Sequence, residues 1–107
     1  MGDRNNIKIT YGTGDSIYLY GHWIGNQVRE IVANAVEASN RVTDESYFAR
    51  VLFCAMVAES DDLRGETGYG IAPYAPDQDY SNKMIHVDYT QAWNNKGVPQ
   101  VDYEYDG

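Results

Sequence analysis

The stretch Ser16–Gly25, Ser-Ile-Tyr-Leu-Tyr-Gly-His-Trp-Ile-Gly, changes its period in mid-course. Ile17 and Leu19 alternate with Tyr18 and Tyr20, and an extended chain sends the two pairs to opposite faces. Gly21 ends the alternation, and beyond Gly25 apolar residues recur at helical spacing. A chain that passes from strand to helix through glycine lets a ligand approach the backbone closely, and the helix start offers unpaired N–H groups to an anion. His22 and Trp23 stand at that junction. Two readings stay open for them. Either Trp23 closes the core and His22 bonds a nearby carbonyl, or both face a ligand.

On either side of this junction the chain alternates between the two periods. Ile7, Ile9 and Tyr11 share one strand face, and the turn Gly12-Thr-Gly-Asp15 returns the chain antiparallel into Ser16–Tyr20. Val28, Ile31, Val32, Ala35 and Val36 mark a helix over residues 26–39, with Arg29, Glu30, Asn34 and Glu37 on its other side. A second helix begins near Asp44, with Thr43 or Asp44 as its cap and two acids in its first turn. Its stripe is Tyr47, Phe48, Val51, Leu52, Ala55, Met56 and Val57. The glycine-punctuated segment Gly65–Ile71 lacks the lysine ending of a phosphate loop and reads as a strand. Residues 73–82 form a long loop of the kind that often binds or moves. Residues 83–89 alternate clearly, with Ile85, Val87 and Tyr89 opposed to Met84, His86 and Asp88, and residues 98–105 alternate again to close a second hairpin. The order β-β-α-α-β-β-β predicts one α+β domain over residues 1–107. Its expected architecture is an antiparallel sheet of about five strands with two helices packed on one face.

A chain of 107 residues suits one domain. It buries roughly 65% of its unfolded surface, so subunit association would help its modest core. The ten tyrosines suit a half-wet sheet face or a subunit interface, and a homo-oligomer is expected. The net charge of −8 argues against duplex DNA or an anionic membrane as partner. No apolar run approaches the length that spans a membrane, and the first residues carry no apolar signal region. The single Cys54 lies in an apolar run and is expected in the core, as suits a reducing cytosol. A soluble, cytoplasmic protein is the expectation.

No residue set compels an enzyme. There is no Gly-x-Ser-x-Gly elbow, and no helical His-x-x-x-His or four-ligand pattern suggests a metal. Neither metal nor cofactor is expected. Binding has more to draw on. Trp23 and Tyr69 offer flat faces for a nucleobase, as do Tyr74 and Tyr80. Arg41 and Arg50 flank the start of the second helix and suit phosphate, Arg50 the better because it sits on a mostly apolar helix where a guanidinium needs a partner, either a phosphate or a carboxylate such as Glu66 or Asp88. His86 and Asp88 share one strand face, a pair that can bind metal, act as a base, grip a ribose or simply face water.

The pieces Leu19-Tyr-Gly-His-Trp23, Asp44-Glu-Ser-Tyr-Phe-Ala-Arg50, Phe53 and Gly65-Glu-Thr-Gly-Tyr-Gly-Ile71 together resemble a small family of phage proteins, the anti-Thoeris sponges. These sequester cyclic ADP-ribose signals made by bacterial TIR proteins. The resemblance spans roughly residues 17–88 and rests on short matched pieces. It implies a phage-encoded, oligomeric ligand trap in the host cytoplasm, with pockets between subunits. It implies that Trp23 stacks on a base, that Arg50 meets phosphate, and that a late-strand pair, here His86 and Asp88, touches ribose. Two rivals stand beside it. One is an acidic inhibitor that covers a nucleic-acid groove of a host protein through Asp77, Asp79, Asp102, Glu104 and Asp106. The other is a nucleotide-cleaving enzyme with His22 or His86 as general base.

Overall fold

A computed structural model describes residues 5–21, 28–57, 69–73 and 84–105. The strands are β1 (Asn5–Thr10), β2 (Ser16–Gly21), β3 (Tyr69–Ala72), β4 (Met84–Asp88) and β5 (Gln100–Tyr105). The helices are α1 (Val28–Ala38) and α2 (Glu45–Met56). The fold is α+β. Its strand order is β3-β2-β1-β4-β5, with β1 at the centre.

The sheet is mixed, where the sequence alone suggests an antiparallel one. β1 and β2 form the expected antiparallel pair through the turn at Gly12–Asp15, and β4 pairs antiparallel with β5. β1 and β4, however, run parallel, with Ile7 opposite Ile85 and Ile9 opposite Val87. A parallel pair needs a long crossover, and β2, both helices and β3 all lie between these two strands in the chain. The element order also differs from the expected one. A 3-10 helix over Ala92–Asn95 precedes β5. A register shift on β5 places Tyr105 opposite Met84 and Asp102 opposite His86, so the simple alternation expected over residues 98–105 breaks beyond Tyr103.

The apolar row of the sheet makes the core. Ile7, Ile9, Leu19, Ile85 and Val87 are buried in one cluster with Val28, Val32 and Ala35 of α1 and Phe48, Ala49, Leu52 and Met56 of α2. Asp44 caps α2 by accepting from the Tyr47 N–H, and Glu45 in the same turn accepts from the Gly12 N–H at 3.1 Å. Buried Tyr89 donates its hydroxyl to the Val42 carbonyl at 2.6 Å. The connection between the helices is thereby tied to the C-terminal end of the parallel β1–β4 pair. Tyr47 is half exposed, so the apolar stripe of α2 is narrower than its sequence suggests. Cys54 is exposed rather than in the core: it lies one turn beyond exposed Arg50, whose Nη1 is 3.7 Å from its sulfur, on the outward side of α2. No helix among the described residues is long and apolar enough to cross a membrane.

Among the described residues two glycines hold left-handed backbone, Gly14 at φ 96° in the first turn and Gly97 at φ 88° after the 3-10 helix. A Cβ at Gly97 would stand 3.1 Å from Thr43 Cβ, whereas one at Gly14 would meet nothing within 4 Å. Gly14→Ala should therefore carry the backbone cost alone, about 1–3 kcal/mol, and Gly97→Ala should lose more. Urea unfolding of the two variants checks this, and equal losses would show that Thr43 yields freely.

Candidate functional site

Alternation along β1 sends Ile7 and Ile9 toward the helices and Asn6, Lys8 and Thr10 to the opposite face. The register then sets a grid of side chains across that second face. Lys8 lies between Tyr18 of β2 and His86 of β4, and His86 stands opposite Asp102 of β5. Thr10 lies between Ser16 and Asp88, and Asn6 stands opposite Tyr20. At the β3 edge, Gly70 and Ala72 stand opposite Tyr20 and Tyr18, so the neighbours of both rings there are small.

The centre of this grid is a hydrogen-bonded chain. Thr10 Oγ1 lies 2.8 Å from His86 Nε2 and 3.1 Å from Ser16 Oγ. The Thr10 bond occupies one ring nitrogen and fixes the plane of the imidazole. Thr10 itself is only 9% exposed, so its hydroxyl serves to position His86 rather than to attack a substrate. Asp88 Oδ1 accepts from the Thr90 N–H at 2.8 Å and from the Thr90 hydroxyl at 2.6 Å. The Lys8 ammonium lies over the Tyr18 ring, 5.8 Å from its centroid.

Burial holds the His86 imidazole below its ordinary value and Lys8 adds to that, while Asp88 and Asp102 oppose them. The ring is therefore neutral near pH 7, able to exchange hydrogen bonds without carrying charge. Burial pushes the Asp88 carboxyl up. The two Thr90 bonds outweigh that together with His86 and Lys8, and the carboxyl stays ionised well into acid. The face thus offers one cation, two carboxylates, a neutral imidazole and aromatic rings. That set suits a ligand with hydroxyls, an anionic group and a flat ring. Among the described residues, no cluster of three or more His, Cys, Asp or Glu is placed to hold a metal.

The residues singled out in the sequence are only partly gathered here. His86 and Asp88 sit together in the grid. Tyr69 lies on β3 opposite Gly21, in the row of Leu19 and Ile71, so the register leaves it outside this grid. His22 and Trp23 fall outside the described residues. Arg50 is exposed on α2, and the sheet separates it from His86 and Asp88, so it forms no ion pair with Asp88 within one chain. Lys8, Thr10, Ser16 and Tyr18 escape sequence reasoning, and Asp102 entered it only as part of an acidic inhibitor surface. Their alternation was visible, but the strand that would lie beside them was not.

No protein-family model matches the chain, and neither a curated protein nor a solved structure is found similar to it.

A histidine held below its ordinary value binds fewer protons in the folded chain than in the unfolded one. Stability is then complete above the unfolded value of 6.5 and declines as pH falls through it. Asp88 adds its own loss only in stronger acid, below 3.8. Thermal melting between about pH 7.5 and about pH 5.5 should show a falling Tm, and His86→Gln should flatten that slope. Parallel slopes for the two proteins would remove His86 as the responsible group.

Proposed function

We propose that this chain captures a nucleotide-derived signal of the cyclic ADP-ribose type by stoichiometric binding, without turnover, as a phage-encoded anti-defence protein acting in the host cytoplasm. The resemblance of residues 17–88 to the anti-Thoeris sponges motivates the reading. The observation that carries it is the meeting of His86 and Asp88 with Lys8, Thr10 and the Tyr18 ring on one sheet face.

In this reading Asp88 and neutral His86 exchange hydrogen bonds with ribose hydroxyls. Lys8 meets a phosphate, and Tyr18 offers stacking surface for a base, the part that the resemblance assigns to Trp23. Arg50 is carried by the opposite layer of its own chain, so its phosphate contact comes from a neighbouring copy. A homo-oligomer with pockets between subunits follows. His22 contributes at the strand end. Turnover is disfavoured because the His86 nitrogen nearest a hydroxyl is engaged by buried Thr10, which has little room for a reacting substrate.

The test is incubation of the protein with cyclic ADP-ribose produced by a TIR enzyme, followed by removal of free ligand, heat release and mass analysis. Intact ligand is the expected result. Altered ligand would indicate an enzyme with His86 or His22 as base, and none recovered would favour the acidic inhibitor. Lys8→Met should weaken capture by about 1.5–3 kcal/mol, the usual worth of a hydrogen bond to a charged group. That corresponds to roughly 10- to 150-fold in Kd by calorimetric titration.

A further inference from the structure

The opposite layer carries a groove, separate from the polar face. It runs between α1 and α2 with a volume of about 720 Å³, walled by Ile31, Ala35 and Ala38 on one side and Val51 and Ala55 on the other, with Arg41 at one end. It exists because alanines stand where longer side chains would close the helix pair. Its volume lies in the range of small-molecule sites, roughly 300–1,000 Å³.

We propose that this groove binds a soluble amphipathic carboxylate, with its alkyl chain along the helix walls and its head group on Arg41. The walls are aliphatic apart from Asn34, Ser39 and Asn40, with no ring to stack on a base. The cation is held in place at the mouth. Its guanidinium lies over the Tyr47 ring, 4.5 Å from the centroid, and the Arg41 backbone N–H donates to Ser39 Oγ at 2.9 Å, which fixes the chain that carries it. Its ion pair with Asp44 is 3.8 Å long with both groups exposed, so a ligand carboxylate displaces it at little cost. Charge complementarity selects the occupant. An anionic head group matches a guanidinium whose ion pair is loose and exposed. A second copy of a chain with net charge −8 brings repulsion to the same place, as does an anionic membrane surface. This inference does not rest on the nucleotide reading.

The probes are decanoate, decanol and decyltrimethylammonium, each titrated calorimetrically into the full chain below its micelle concentration. Decanoate should bind saturably and the ammonium compound should not. Arg41→Met should weaken decanoate by roughly tenfold or more, the scale of a lost charge-assisted contact, and leave decanol unchanged. Ala55→Leu, or Ala38→Leu at an exposed position, should fill the groove and abolish both while thermal melting shows the fold retained. The proposal is overturned by non-saturable decanoate binding, by equal binding to Arg41→Met, or by equal binding of the ammonium compound. Uptake on anionic vesicles without saturable decanoate binding would overturn it too, as would self-association that the groove-filling variants disrupt.

Discussion

The structure depends on β1 being flanked on both sides. One strand of six residues has β2 antiparallel on one side and β4 parallel on the other, and Ile7 and Ile9 are wholly buried beneath the helices. Because the side-chain period of a strand is two, burying that row forces Asn6, Lys8 and Thr10 to the opposite face. A slip of one residue would send Lys8 into the core and Ile7 out of it. The register that makes the core therefore also sets the polar grid. No separate device is needed to bring Lys8 beside His86 or Thr10 within reach of it.

The helix layer is fastened to the same frame through a few polar contacts near residues 42–45. Glu45 takes the Gly12 N–H, Tyr89 reaches the Val42 carbonyl, and Gly97 lies against Thr43. Tyr89 is pushed well above its ordinary pKa, by burial first and by Glu45 and Asp44 next, so it remains a neutral donor at any physiological pH. Its amide also bonds the Thr10 carbonyl at 2.8 Å, beside the hydroxyl that positions His86. Core, helix connection and candidate site thus share residues within two positions of Thr10 and Tyr89.

Much of this was legible in the sequence, and the remainder was hidden for definite reasons. The α+β class, the two helices and the Asp44 cap follow from period and capping chemistry, which are local. The pairing of His86 with Asp88 on one face follows from alternation alone. The parallel contact between β1 and β4 does not, because period reports which face a residue takes and never which strand lies next to it. For the same reason Lys8 and Thr10 carried no signal as site residues. The 3-10 helix at Ala92–Asn95 is too short to show a period. Cys54 looked buried because its sequence neighbours are apolar, yet it falls one turn beyond Arg50 on the outer side of α2. Arg50 was legible as a cation in need of a partner, but its placement on the layer opposite His86 required the fold.

The central claim is that the polar face of the sheet is where ligand binds. Amide-resolved NMR of the full chain, titrated with cyclic ADP-ribose, tests it most directly. The account predicts saturating shifts concentrated at Lys8, Thr10, Ser16, Tyr18, His86, Asp88 and Asp102, with the apolar walls of the α1–α2 groove unmoved. Shifts centred on that groove, or no saturable shift at the sheet residues, would contradict it.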